Sequence, residues 1–196
     1  GLHIGMSLAP TWLSGDGWRR DNSNIEHLFS ADFAIDLAGR AEAAHLDFVF
    51  RPDVSSLAVE VMEHAPGFAS LDPTVLLAAV AQATTHIGLV STVSTTFYPP
   101  YVVARQLQSL HWISKGRVGW NIVTALQGHE NFGLERMPDA QQRHQRAAEF
   151  TELKPLLEVT QGNLSIHLRK LEEAGYVSID KSFVGRKPLT RVRLTE

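Results

Sequence analysis

The sequence predicts an α/β fold in which strand and helix alternate four times over residues 2–150. Three observations lead there. The strand-like runs are short and continuously apolar, as expected when helices cover both faces of a parallel sheet. The helix-like runs carry apolar residues at helical spacing. Capping residues and breakers fall between the two kinds of run. Such a pattern belongs either to an open doubly wound sheet or to a (β/α)8 barrel.

The elements follow in order. "LHIGMSL" (2–8) is a short strand-like run, and "ADFAIDLAGRAEAAH" (31–45) is a helix with Ser30 as its N-cap. "LDFVF" (46–50) is aromatic and β-branched and is closed by "RPD". "DPTVLLAAVAQAT" (72–84) starts as a helix should, with Asp72 as N-cap and Pro73 in the first turn. "HIGLVSTVST" (86–95) is a strand, and "PPYVVARQLQSLHWIS" (99–114) is a helix ended by "KGR". "RVGWNIVT" (117–124) is the fourth strand, and "DAQQRHQRAAEF" (139–150) is again helical.

Composition narrows the function classes. Apolar residues make up 44% of the chain and charged residues 20%, the balance of a globular protein. There is no cysteine, which removes disulfides, thiolate metal sites and cysteine nucleophiles and fits a cytoplasmic location. The first residues lack the basic leader of a signal peptide. No apolar run reaches the roughly 18 residues of a membrane span. The nine histidines show no metal-binding pair spacing. Gly-x-Ser-x-Gly is absent, and no Gly-x-Gly-x-x-Gly follows the first strand, which weighs against a serine hydrolase and a dinucleotide Rossmann site. The net charge of −3 divides unevenly: residues 150–196 carry +2 and the rest −5. A mildly basic tail is permissive for nucleic acid.

Both candidate folds place ligands at the carboxyl ends of the strands. Those ends are "RPD", "STVST" and "WNIVT". Together with "AEAAHLDFVFRPD", "GLVSTVSTTFYPPYVVARQLQSLHWISKGRVGWNIVT" and "NFGLE", they resemble the bacterial luciferase-like, flavin-dependent monooxygenases, nitrilotriacetate/dibenzothiophene-sulfone type. The resemblance runs from about residue 2 to about 150. It implies a (β/α)8 barrel and FMN, supplied in reduced form by a separate NAD(P)H:flavin reductase, with O2 and a small organic substrate. By position it implies that Asp53 accepts hydrogen bonds from the flavin and that Thr95 and Asn121 meet it at the strand ends. Where the family often has His-x-x-x-Tyr at the start of the fourth helix, this chain has Ala140 and His144, leaving His144 as the donor to a phosphate or ring oxygen. Each residue has a plainer reading. Asp53 would serve as a loop or capping acid, Thr95 as an ordinary strand residue, Asn121 as a strand-ending turn residue and His144 as a solvent-facing helical residue.

An eight-unit barrel typically needs about 250 residues. Four units are visible, so the expectation is the first half of a barrel, residues 1–149. Its two open sheet edges predict pairing with another copy, and its activity is expected to be incomplete.

"FTELKPLLEVTQGNLSIHLRKLEEAGYVSIDKSFVGRKPLTRVRLTE" (150–196) resembles a MarR/ArsR-like winged-helix DNA-binding module without its first helix. The resemblance implies a recognition helix from Thr160 to about Ala174, with Gln161, Asn163, Ser165, His167 and Arg169 toward duplex DNA. "YVSID" and "TRVRLT" would form a hairpin. The wing "KSFVGRKPL" would lie between them, its Lys181, Arg186 and Lys187 meeting phosphates. The plainer reading of the Leu-rich segment is an amphipathic surface helix. The sequence thus leaves three readings: an FMN-dependent monooxygenase, a transcriptional regulator, or a fusion without activity.

Overall fold

The computed structural model describes residues 2–9, 15–57, 59–62, 64–66, 69, 71–150, 177–184 and 187–194. The alternation is present. The sheet is built from β1 (Gly5–Ser7), β2 (Phe48–Arg51), β3 (Gly88–Ser94) and β4 (Val118–Val123). The helices are α1 (Ala31–Ala43), a short α2 (Val59–Met62), α3 (Pro73–Ala83), α4 (Pro100–Ile113) and α5 (Ala140–Glu149).

Local chemistry sets the helix ends. The Ser30 hydroxyl accepts from the Asp32 N–H at 3.2 Å. Asp72 accepts from the Thr74 and Val75 N–H groups at 2.9 and 3.0 Å. Asp139 and Gln142 form a reciprocal capping box at 2.8 and 3.1 Å, satisfying two amides at the start of α5. Helix α4 stops where Lys115 and Gly116 turn left-handed, at φ 56° and 90°. That is the "KGR" terminator of the sequence.

All neighbouring strands are parallel, in the order β1-β2-β3-β4. A doubly wound sheet reverses its strand order at a switch point; a barrel does not. The helices give the same answer. Val49, Leu89, Val93, Val118, Trp120 and Ile122 share one core with α1, α3, α4 and Phe150 after α5. These strand residues lie on one face, because strand side chains alternate. The helices therefore cover one face of the sheet, not both as the apolar runs predicted. The apolar character of the strands has a different cause: the opposite face is the concave lumen of a barrel segment, which also favours apolar residues near its base.

The base is fastened by two charged side chains. Glu42 at the end of α1 accepts the N–H groups of Thr85, His86 and Ile87 at 2.9, 2.5 and 3.0 Å. Arg117, entering β4, donates to the carbonyls of Ala81, Thr84, Ile87 and Ser114 and to the Thr84 hydroxyl, at 2.8–3.0 Å. The end of α3, the approach to β3 and the start of β4 meet on one guanidinium.

Separately, β5 (Val177–Val184) and β6 (Lys187–Leu194) form an antiparallel hairpin, closed by the Val184–Lys187 pair. The hairpin falls where the sequence placed it, but its strands are longer. Lys181 and Lys187 belong to the strands rather than to a nine-residue wing. Pro188 is compatible with this, because it pairs with Phe183 one step from the closing pair. In a two-residue hairpin that is a non-hydrogen-bonded position, where a missing N–H costs no ladder bond. The recognition helix expected from Thr160 to about Ala174, with Gln161, Asn163, Ser165, His167 and Arg169, and also Arg186, lie outside the described residues.

Replacing Arg117 with Met should leave three or four carbonyls unpaired. It is expected to destabilise the chain by about 3 kcal/mol, read as a fall in the urea midpoint at unchanged m-value.

Candidate functional site

The concave face can be read row by row from the strand register. At the base Gly5, Phe48 and Gly88 are lateral neighbours, and above them come Ser7, Phe50, Val90 and Gly119. Glycine is required at the base, since a Cβ on Gly5 would sit 2.2 Å from the Phe48 ring. Further toward the carboxyl ends the rows are Thr92 with Asn121, then Ser94 with Val123. The lumen thus changes from aromatic and glycine-lined at its base to hydroxyl- and amide-lined at its mouth. Thr92 is 4% exposed and accepts a hydrogen bond from the Asn121 side-chain N–H at 3.1 Å. Asn121 itself is half-buried. The Ser7 hydroxyl is buried and has no hydrogen-bond partner among the described residues.

Asp53 follows β2 at the same end. Burial, first, raises its carboxyl pKa to about 6; the Asp72 carboxylate adds to the shift, while the Val54 amide and Arg51 oppose it. Arg51 is buried, donates through Nη1 to the Leu8 carbonyl and leaves Nε without a partner among the described residues. Burial lowers the Arg51 pKa, and Asp53 acts against that change. Tyr98 is close enough to feel both acids: burial, then Asp72 and Asp53, raise its phenol pKa.

Thr95 is fully buried, and its hydroxyl donates to the Val123 carbonyl at 3.3 Å. Its N–H bonds the same carbonyl at 2.9 Å. In this arrangement Thr95 fastens the tops of β3 and β4 together. His144 is half-buried on α5, the helix bordering a cleft of about 380 Å³ lined by Thr96, Gln142, Arg143 and Arg146. Thr95 and Asn121 thus belong to the same strand pair but do not meet, since Asn121 pairs with Thr92, three residues before Thr95, and Asp53 follows the neighbouring β2. His144 stands on a covering helix.

The loops above this end are tied to one another. Gly128 has φ +95°, and a Cβ there would lie 2.2 Å from the Ser55 carbonyl oxygen. The Asn131 side-chain N–H donates to that same carbonyl at 2.9 Å. Phe132 stacks on Phe97 with centroids 4.4 Å apart and meets Tyr98 edge-on at 5.4 Å. The loops after β2, β3 and β4 are thus clamped over the lumen's mouth. Sequence reasoning reached "NFGLE" only through its resemblance, and it did not single out Ser7, Thr92 or Ser94. The signal for Thr92 was the two-residue step: in "STVST" it shares a face with Ser94, and the parallel register adds Asn121.

A parallel, sequentially ordered sheet with helices outside defines a barrel-type α/β protein, a fold whose ligand sites lie at the carboxyl ends of the strands. Residues 11–163 match the family described as luciferase-like monooxygenase, and the chain belongs to that family. It is similar to the N-acetyl-S-(2-succino)cysteine monooxygenase of Bacillus subtilis (strain 168), 36% identical over 154 residues, 78% of this chain and 34% of the relative. It is also similar to component A of nitrilotriacetate monooxygenase from Aminobacter aminovorans, 34% identical over 161 residues, 76% of this chain and 36% of the relative. A riboflavin lyase structure with modified FMN and riboflavin superposes with TM-score 0.64 at 31% identity, covering 78% of this chain and 36% of that one. The chain spans about a third of the length of the curated relatives it matches. Residues 142–196 match a winged helix DNA-binding domain, so the two matches share residues 142–163.

The raised Asp53 pKa has a signed consequence. Its folded value of about 6 exceeds the ordinary 3.8, so the stability associated with its neutral form is fully present below about pH 4 and lost as pH rises through about 6. Asp53→Asn should therefore match the parent near pH 4 and exceed it by about 1–2 kcal/mol above pH 7, after discounting for solvent screening, in urea titrations across that range.

Proposed function

We propose that residues 1–149 form one wall of an FMN site in a flavin-dependent monooxygenase acting on a small organic substrate. The observation that carries this reading is the polar mouth of the lumen. The Asn121 amide, tied at one end to Thr92, stands one row above Phe50, Val90 and the buried Ser7 hydroxyl, so polar contacts adjoin a largely apolar floor. A planar aromatic cofactor needs that combination. Family membership supports it, as does the FMN derivative in the riboflavin lyase of similar fold.

Reduced FMN, when bound, supplies the reaction with O2. The chain's own residues bind and orient it. Asn121 addresses a polar edge of the ring, and Asp53 accepts from ribityl hydroxyls or a ring N–H. Thr95 acts through the β3–β4 ladder that carries Asn121, and His144 donates to a phosphate or ring oxygen. The clamped loops exclude water from the mouth. The designation "component A" of the nitrilotriacetate relative supports a separate partner, which we assign as an NAD(P)H:flavin reductase. Two open edges, at β1 and β4 among the described residues, favour pairing with a second copy.

The winged-helix match and the hairpin favour a second reading, binding of duplex DNA. Gln161, Asn163, Ser165, His167 and Arg169 would read the groove, with Lys181, Arg186 and Lys187 on phosphates. A location in the cytoplasm suits both readings. No helix among the described residues is long and apolar enough to cross a membrane.

Titration of the chain with FMN and with reduced FMN should give a saturable change in flavin fluorescence or absorbance, weakened about tenfold in Asn121→Ala. A linear, unsaturable response would exclude the flavin site. In a gel-shift series the chain should retard duplex DNA at low salt, and Lys187→Ala should lower the salt slope by about one. No retardation at low salt would exclude the DNA reading.

A further inference from the structure

Asn121 cannot orient a ligand unless its amide is itself oriented. The two ends of an amide have opposite polarity, and a freely rotating amide presents both. The structure holds this one at a single point: its N–H donates to the Thr92 hydroxyl at 3.1 Å, and its carbonyl oxygen has no partner among the described residues. Thr92 is well placed for this. It lies directly beside Asn121 in the β3–β4 register and is 4% exposed. Its backbone is fixed in the β3–β4 ladder, one residue past the end of the β2–β3 pairing. The hydroxyl of Thr95, at the same end, is committed to the Val123 carbonyl, and that of Thr96 accepts from the Ala125 N–H.

We infer that Thr92 is a positioning residue that holds the Asn121 side chain in one rotamer on the lumen face, so that its amide meets the ligand already ordered. This rests on the flavin reading. The gain is entropic: a side chain fixed before binding loses less freedom when the ligand arrives. Thr92 needs no contact with the ligand for this role.

The test uses the full chain, FMN as probe, and four variants. Thr92→Val keeps the shape and removes the hydroxyl, while Thr92→Ser keeps the hydroxyl. Thr92→Val should weaken FMN binding about five- to tenfold, and Thr92→Ser should stay within about twofold of the parent. In the Asn121→Ala background, Thr92→Val should cause no further loss, because the group it positions is gone. Thermal melts without flavin accompany each titration, so that loss of fold is seen directly. Equal FMN affinity of Thr92→Val and the parent would overturn the inference while leaving the flavin site in place. An additive loss in the double variant would also overturn it, since Thr92 would then act independently of Asn121. Absence of saturable FMN binding by the parent chain would remove the flavin reading and this inference with it.

Discussion

The guanidinium of Arg117 is the point on which the barrel segment depends. Four carbonyls and one hydroxyl from the end of α3, the approach to β3 and the turn before β4 converge on it. A planar group with donors in fixed directions allows few arrangements of its acceptors. Once those acceptors are placed, the starting points of β3 and β4 are placed too. In a parallel ladder the start of a strand determines which residues become neighbours along its length. The pairing of Thr92 with Asn121 and of Ser94 with Val123 at the far end follows from that position. Glu42 repeats the arrangement one unit earlier by gathering three amides before β3. A base made rigid by charged hydrogen bonds leaves the opposite end free to carry ligand chemistry.

That division of labour appears in the residues themselves. The helix-facing side of the sheet holds Val49, Leu89, Val93, Val118, Trp120 and Ile122, and even the Trp120 indole N–H finds a partner in the Val93 carbonyl at 3.1 Å. The concave side begins with glycines and Phe48 and ends with Thr92, Asn121 and Ser94. Asp53 adds an acid whose burial keeps its proton to about pH 6. The clamped loops lie above all of these. Each feature is local, yet together they let polar groups and an apolar floor meet at the carboxyl end.

Much of the fold was legible because helix ends have short-range causes. Ser30, Asp72 with Pro73, and "KGR" acted as the sequence suggested, through contacts within three residues. Strand runs were legible for the same reason, to within a few residues. The choice of a barrel over a doubly wound sheet came from the family resemblance and not from the element pattern, because strand order and the side taken by helices are settled by packing between distant segments. The short 3-10 turns at Gly15–Arg19, Ile25–His27 and His129–Phe132 also escaped, since one turn leaves no periodicity to detect. In the candidate site, Asp53, Thr95 and Asn121 fell at the carboxyl end as expected, but the commitment of Thr95 to Val123 and the partnership of Thr92 with Asn121 needed the register. The hairpin was expected where it lies; its length was not, because "KSFVGRKPL" reads as a loop until its residues are seen to pair.

The chain carries matches to two families that share residues 142–163. In the flavin reading the mouth of the lumen, between β1 and β4, receives the ring. A two-dimensional amide NMR spectrum of the 15N-labelled chain recorded with increasing FMN tests this site by site. Saturable shifts should concentrate at Ser7, Asp53, Thr92, Ser94 and at the backbone and side-chain amides of Asn121, with little change at Glu42 and Arg117 at the base. Shifts confined to the outer helices, or none at saturating FMN, would rule out a flavin at the mouth.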